Sequence, residues 1–144
     1  MKKILVALDG SKHAQNAAIH AADLVKQMKN SSLTIVHVVE EAPPKDKLLL
    51  ANFDVEQVLR NDAYEKLLQT IRIFKENEVD FHLEVAIGEA AEEIVRLAID
   101  QNFDLIVMGS RGLGTFGEVI FGSVSHQVLH DAHCPVMVVK QEKG

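Results

Sequence analysis

Five short apolar segments alternate with stretches of helical spacing along this chain, and the alternation restricts the folds open to it. The first segment, residues 4–8, contains no polar residue, which is typical of a strand buried on both faces of a parallel sheet. The other four are residues 33–39, 81–87, 105–108 and 136–139. Helices are predicted between them, from Ser11, from Val55 in one long element, after Gly88 and from Ser123. The pattern therefore predicts five strands and four helices.

Strict alternation of strands and helices favours a three-layer α/β fold, because right-handed crossovers place helices on both faces of a parallel sheet. We expect an open sheet of five mainly parallel strands in the order 3-2-1-4-5, a Rossmann-like nucleotide-binding arrangement. Ligands bind such sheets at the carboxyl ends of the strands, where the order reverses. A chain of 144 residues suits one domain of this kind, so we expect a single domain over residues 1–144.

Composition and charge exclude several classes of partner. The formal net charge is −6, whereas binding to a nucleic-acid backbone needs clustered Lys and Arg. No apolar run approaches the roughly 20 residues that cross a bilayer, and the apolar stretch that begins at Ile4 is too short for a signal peptide. Cys134 is the single cysteine, so an internal disulfide is impossible. We expect a cytoplasmic protein without nucleic-acid or membrane partners.

Residues 109–125 hold five of the eight glycines and follow the fourth predicted strand. Glycine permits positive φ and close backbone approach, so such a loop can direct several N–H groups at an anion. Ser123 and Ser125 add hydroxyl donors at the start of a predicted helix, whose positive end also favours a phosphate. The alternative is a long turn in which Ser123 only caps the helix.

Two common nucleotide motifs do not fit this segment. A Walker A loop needs a lysine before its serine, and Gly122 stands there instead. A dinucleotide fingerprint needs three glycines after the first strand, where only Gly10 is found. Neither Ser110 nor Ser123 lies in the frame of a hydrolase nucleophile elbow. A different scheme of phosphate binding is therefore indicated.

The spacing Gly109-x-x-Gly112, then nine residues, then Gly122-Ser123, resembles the G-2x-G-9x-G-(S/T) signature of the ATP-binding universal stress proteins. The opening Ile-Leu-Val-Ala-Leu-Asp-Gly-Ser and the closing His-Cys-Pro-Val-Met-Val-Val-Lys are also similar to that family. The likeness covers the whole chain. It implies ATP as ligand, accompanied by Mg²⁺ or Mn²⁺, although the sequence does not identify ligands for the metal ion.

The resemblance also implies roles for particular residues. Leu8 and Asp9 would lie against the nucleoside, Val38 would meet the adenine through its backbone, and Met108 and Gly109 would line the ribose. The triphosphate would be surrounded by Arg111, Gly112, Gly122, Ser123, Val124 and Ser125. Two departures from the family stand out: Glu118 places a negative charge within the glycine loop, and Glu89 opens the third helix where relatives often have proline.

Several other residues have both an ordinary and a functional interpretation. Asp9 suits a turn before Gly10, but its place at the predicted switch point favours a ligand contact. His126, His130 and His133 are most simply solvated surface histidines, and Cys134 a buried small hydrophobe. The loop of residues 41–50, which runs from Glu41 to Leu50, either folds its apolar end onto a neighbouring helix or covers the nucleotide or a partner.

The function we predict is that of an ATP-binding protein with a regulatory or stress-adaptation role. No dedicated enzyme is indicated, because the phosphate-site lysine and an evident catalytic base are missing; slow ATP hydrolysis or autophosphorylation stays open. The alternative is a nucleotide-independent interaction protein or chaperone-like dimer. A phosphoacceptor domain is disfavoured, because Gly88 follows the third strand where that class has a second aspartate.

A homodimer is expected from the last strand, which begins at Val136 and extends to Lys140. In the predicted order this apolar strand lies at the edge of the sheet, and apolar edges need covering. The resembled family commonly pairs these edges across a two-fold axis, so the resemblance implies a symmetric pair.

Overall fold

The computed structural model describes residues 2–110 and 122–140. Its strands are β1 (Lys2–Ala7), β2 (Ser31–Val39), β3 (His82–Ile87), β4 (Leu105–Gly109) and β5 (Val136–Val139). Its helices are α1 (Lys12–Gln27), α2 (Lys45–Leu50), α3 (Val55–Lys66), α4 (Leu68–Glu76), α5 (Ala90–Asp100) and α6 (Ser123–Asp131). Within these ranges no helix has both the length and the apolar character needed to cross a bilayer.

The five strands form one sheet in the order β3-β2-β1-β4-β5, which confirms the predicted α/β fold and strand order. Every neighbouring pair is parallel, so the sheet is parallel throughout. Strand β1 lies at the centre and pairs with β2 on one edge and β4 on the other. Residues far apart in sequence thus become neighbours, as in the pair of Ile4 and Leu105.

The core is divided into two clusters by the sheet, one on each face. The first joins β1 and β2 to helices α1, α3 and α4, through residues such as Ala17, Ala63 and Phe74. The second joins the opposite face to α5 and α6, through residues such as Ile94 and Val128. Alanines line the buried face of α1, which lets this helix lie close to the strands. The three layers expected from the sequence are present.

The helices differ from the prediction in two places. The single long helix expected from Val55 is two helices, α3 and α4, that meet at Leu67, whose φ of −97° and ψ of 10° depart from helical values. The loop before it contains α2, so the described residues hold six helices rather than four. Leu67 is fully buried and the backbone hydrogen bonds resume at once, from Leu67 N–H to Ala63 and from Ile71 N–H to Leu67. Apolar spacing therefore continues across the break.

Glu89 explains how α5 begins without the proline common in relatives. Its carboxylate accepts hydrogen bonds from the backbone N–H groups of Ala91 and Glu92, at 3.2 Å and 2.9 Å. These are two of the N–H groups that a helix leaves without internal partners. Glu89 thus starts the helix without proline, and the expectation that this departure leaves the site unchanged stays a prediction.

Helix α1 and strand β4 touch backbone to backbone at Gly109. A Cβ atom built there would lie 2.8 Å from the carbonyl carbon of His13 and would collide with its oxygen. Only glycine permits this approach. The contact sets the distance between the start of α1 and the carboxyl end of β4.

We expect Gly109→Ala to destabilise the fold, because the new methyl group meets backbone atoms that cannot rotate away. The free energy of unfolding should fall by about 1–3 kcal/mol, the usual cost of overpacking. Urea denaturation measures it, with the neighbouring buried Met108→Leu as control, which should cost less than about 1.5 kcal/mol. An unchanged stability of Gly109→Ala would show that α1 withdraws from β4 without cost.

Candidate functional site

A cavity of about 420 Å³ opens at the carboxyl ends of β1, β2 and β4. It lies where the strand order reverses, which is the general ligand position in open parallel sheets. Its volume falls within the range of small-molecule sites. The cavity is lined by Ala7, Leu8, Asp9, Ser11, His13, Ala14, Val36, Val38, Ala90, Ile94, Met108, Gly109, Ser110, Gly122, Ser123, Val124 and Ser125.

The turn after β1 places Asp9 on the cavity wall. Gly10 has a φ of +86°, a conformation that side chains rarely adopt, and it packs against the backbone of Lys66. Ser11 caps α1 by accepting a hydrogen bond from Ala14 N–H, while its own N–H donates to Asp9 Oδ1 at 2.9 Å. Asp9 and Ser11 are therefore held by local hydrogen bonds before any ligand arrives.

Buried His37 fixes the residue that precedes this turn. Its Nδ1 lies 2.9 Å from the carbonyl oxygen of Leu8, which requires Nδ1 to carry the proton and donate it. The N–H of Leu8 donates in turn to Val36 at 3.0 Å. Leu8 is thus bound to β2 through both its backbone groups, and the end of β1 cannot swing away from the cavity.

The first residues of α6 form the opposite wall. Gly122 is the N-cap, and because glycine has no side chain it makes no side-chain cap bond to the N–H groups of the first turn. Ser123 is exposed and is the first residue of the helix, so the interpretation of Ser123 as the cap is wrong. Ser125 is buried and donates to the carbonyl oxygen of Gly122 at 3.1 Å. This helix start offers backbone donors and its positive end to the cavity.

Nine residues that the sequence predicts for the site come together on this cavity wall. They are Leu8, Asp9, Val38, Met108, Gly109, Gly122, Ser123, Val124 and Ser125. The other two predicted residues, Arg111 and Gly112, lie outside the described residues, as does Glu118. The structure thus places these nine residues on one cavity, and their role in binding a ligand stays a prediction.

The sequence reasoning missed His13 and Ser110. Ser110 is almost fully buried, and neither its Oγ nor the buried Nδ1 of His13 has a hydrogen-bond partner among the described residues. Ser110 lies within the glycine segment, but its burial depends on where β4 ends. His13 gave no signal beyond its place in the first turn of α1, because a lone histidine on a helix is seldom a ligand contact.

No cluster of three or more His, Cys, Asp or Glu side chains that could hold a metal ion occurs in residues 2–110 and 122–140. Asp9 is the sole carboxylate on the described part of the cavity wall. A divalent ion with an oxygen-rich shell would have to take most of its ligands from a bound phosphate chain and from water, as Mg²⁺ commonly does.

The remaining candidates lie apart from the cavity wall. Cys134 is half-buried, and burial raises the pKa of its thiol, which argues against a reactive thiolate. The apolar end of the loop folds only in part: Leu48 is half-buried, while Leu49 and Leu50 in α2 are 63% and 89% exposed. The interpretation that this whole stretch folds onto a neighbouring helix is therefore wrong for its last two leucines.

The sequence profile described as the Universal stress protein family matches residues 1–140. Universal stress protein MJ0531 of Methanocaldococcus jannaschii is 33% identical over 143 residues, covering 99% of this chain and 84% of that protein. The solved structure of protein MJ0577 from the same organism is 33% identical with a TM-score of 0.69, covering 99% of this chain and 98% of that one.

Two further solved structures share the fold at a TM-score of 0.69. One is a universal stress protein in complex with cAMP, 22% identical, covering 96% of this chain and 95% of that one. The other is the universal stress protein from Archaeoglobus fulgidus in complex with dAMP, 21% identical, covering 97% and 98%. At these identities the comparison shows that this chain shares the fold of the two proteins.

The charge of Asp9 should make stability depend on pH. Partial burial raises the pKa of its carboxyl group, but hydrogen bonds from Ser11 and the Lys66 charge outweigh that effect, so the pKa lies below its ordinary value. A lowered pKa in the folded state means that the carboxylate stabilises the fold above the ordinary Asp range, and that this contribution is lost as pH falls through the lowered value.

Wild type should therefore be more stable than Asp9→Asn near neutral pH; the gap should hold down to the ordinary Asp range, about pH 4, and narrow as the pH falls below it. Urea unfolding at several pH values measures the gap. Asn16→Ser, which changes no titratable group, should show a difference from wild type that does not vary with pH. A gap for Asp9→Asn that stays constant or widens in acid would contradict the assigned hydrogen bonds.

Proposed function

Because the chain belongs to the universal stress protein family, we propose that it binds ATP in the cavity at the carboxyl ends of β1, β2 and β4 and acts as a nucleotide-dependent regulatory or stress-adaptation protein. The observation that carries the proposal is the convergence on one cavity wall of all nine predicted site residues that the structure describes. Residues from four separate parts of the chain had to meet for this to occur.

The side of the cavity near β1 and β2 suits a nucleoside. Leu8, Val38 and Met108 offer apolar surface for a planar base, and Val38 lies near the carboxyl end of β2, where it lines the cavity. Asp9 is the carboxylate on this wall, and its lowered pKa keeps it ionised at neutral pH, ready to accept hydrogen bonds from ribose hydroxyls. A base and a sugar each have a matching surface.

The side near β4 and α6 suits phosphates. Free N–H groups at the start of α6, the hydroxyl of Ser123 and the positive end of the helix all favour an anion. Buried polar atoms of Ser110 and His13 lack partners among the described residues, as expected for a wall that meets a polar ligand. The residues present therefore fit a nucleotide.

The choice of ATP over other nucleotides rests on the sequence motif. The related complexes with cAMP and dAMP support an adenine nucleotide for this fold. The spacing of Gly109, Gly112 and Gly122-Ser123 is that of the ATP-binding members, which supports a triphosphate for this chain. We propose Mg²⁺ or Mn²⁺ as the companion ion, held mainly by the phosphates.

A regulatory role fits this wall better than rapid turnover. Phosphoryl transfer depends on cations that neutralise charge in the transition state and on a group that positions the nucleophile, and the sequence lacks both the phosphate-site lysine and an evident catalytic base. We propose that bound ATP controls shape or partner choice and is hydrolysed slowly at most.

We also propose a symmetric homodimer through β5. This strand pairs with β4 on one side only, and Met137 is 36% exposed on it. An edge with free backbone groups and apolar side chains is a ready surface for a second copy. Lys140 at its end is exposed and would mark the rim of that contact.

Isothermal titration with ATP and Mg²⁺ tests the nucleotide proposal, and wild type should bind about one ATP per chain. Gly122→Val should abolish binding, because its branched side chain would stand where phosphate must approach the backbone of α6. Its φ of −70° and ψ of 166° suit any residue, so the fold should survive. Gln127→Val, an exposed position on the same helix, should bind like wild type.

Failure of wild type to bind ATP, together with no nucleotide released on denaturation, would overturn the proposal and favour the nucleotide-independent interaction protein. The exposed side chains of Leu49 and Leu50 would then be the first candidates for a protein-binding surface. Full affinity in Gly122→Val would instead remove the start of α6 from the site.

Light scattering at micromolar concentration should report a dimer for wild type and a monomer for Met137→Lys. The substitution places two like charges next to each other across the two-fold axis and forces them out of water. Leu129→Lys changes an exposed leucine on α6 and should leave the dimer intact. A wild-type monomer would contradict the proposed edge contact.

A further inference from the structure

Two buried polar atoms on the cavity wall, Ser110 Oγ and His13 Nδ1, have no hydrogen-bond partner among the described residues. Ser110 is 1% exposed. Leaving such a group unpaired costs about 1–3 kcal/mol, and buried polar groups in folded proteins are nearly always paired. Both residues lie on the cavity wall, so a polar ligand bound there can supply the partner of each atom.

The backbone fixes both residues near the same point of the wall. His13 lies in the first turn of α1, and its carbonyl group is in contact with Gly109. Ser110 follows Gly109 directly, and its N–H donates to the carbonyl oxygen of Val139 at 2.9 Å, which ties it to β5. Neither backbone segment can move independently of the sheet.

The charge of the wall makes His13 unusual. Of the seventeen residues that line the cavity, Asp9 and His13 are the ones with titratable side chains, so His13 is the one group on the described wall that can become positive. A histidine can change its charge between about pH 5 and 8. On the described part of the wall, a phosphate chain meets the negative charge of Asp9 and the imidazole of His13.

Within residues 2–110 and 122–140, the neighbouring elements add no competing charge to the cavity wall; Arg111 and Glu118 lie outside these ranges. The wall contributed by α5 consists of Ala90 and Ile94, that of α6 is glycine, serine and valine, and that of β4 is Met108, Gly109 and Ser110. On α1 itself Lys12 is exposed, and Lys66, which does not line the cavity, packs against Gly10 and helps to lower the pKa of Asp9. Asp9 is the sole described charge that shares the wall with His13.

We propose that His13 and Ser110 form a subsite for a phosphate oxygen of the bound nucleotide, and that His13 takes up a proton when the nucleotide binds. The imidazolium Nδ1–H and the Ser110 hydroxyl both donate to the phosphate, which is an acceptor only. Binding is thereby linked to pH and selects for phosphorylated ligands over the bare nucleoside. This inference rests on the proposed nucleotide binding.

Titration calorimetry of the whole chain in buffers of different ionisation enthalpy measures the protons taken up per ligand. ATP with Mg²⁺ and adenosine are the two probes. Wild type should take up protons with ATP and none with adenosine, and its affinity for ATP should weaken about tenfold as pH rises across the histidine range, the size expected for one charged hydrogen bond.

His13→Asn should lose both the proton uptake and the pH dependence of ATP affinity, while its affinity for adenosine stays unchanged. His20→Asn is the matched control, because His20 is exposed on the same helix. ATP itself titrates in this range, so the readout is the difference between the two variants. Ser110→Ala should weaken ATP severalfold and leave adenosine unaffected.

Equal proton uptake in His13→Asn and His20→Asn would overturn the inference and leave ATP binding standing. Proton uptake with adenosine would place the contact away from the phosphates and would overturn it equally. Absence of ATP binding in wild type would instead overturn the proposed function. If His13→Asn does not fold, NMR of the wild-type imidazole decides: its titration must move to higher pH on addition of ATP, and an unmoved titration rejects the subsite.

Discussion

The sheet depends on the backbone hydrogen bonds that β1 shares with two neighbours. β2 pairs with one of its edges and β4 with the other. The strand numbers therefore rise from β1 toward both edges of the sheet. The helices that follow β1 and β4 therefore lie on opposite faces, α1 with the first core cluster and α6 with the second. Because the connections after β1 and β4 run to opposite faces, a gap opens between them at the carboxyl ends of the strands, and the cavity is that gap.

Backbone rather than side-chain contacts define the shape of this cavity. Gly109 lets α1 touch β4 directly, and Gly10 turns the chain sharply after β1. Leu8 is bound to β2 by its N–H, which donates to Val36, and by its carbonyl oxygen, which accepts from the His37 side chain. Side chains then divide the wall into an apolar part beside β1 and β2 and a donor-rich part beside α6. Such a division suits a ligand that is itself apolar at one end and anionic at the other.

The sequence predicted the strands well because each is a compact apolar run, and alternation of strands and helices predicted a parallel α/β sheet; the strand order was expected from the Rossmann-like class rather than from alternation. It missed the break at Leu67, since the hydrogen bonds and the apolar spacing resume within one residue and no Gly or Pro marks the position. It also missed α2, a short helix that buries none of its residues fully. For the site, glycine spacing pointed to residues that line the cavity through their backbone. His13 and Ser110 also line it, but the direction of their side chains depends on packing that no local pattern encodes.

The pairing of β1 with β4 also has a consequence for how the chain acquires its ligand cavity during synthesis. The partners Ile4 and Leu105 are separated by most of the chain, so their contact closes a very long loop and contributes to a high contact order. At roughly 5–20 residues per second, the ribosome delivers β4 several seconds after β1. The nascent chain can pair β1 with β2 early, but until β4 emerges it has no switch point. The proposed ligand would therefore stabilise only a chain that already includes β4, and would act on the last steps of folding rather than the first.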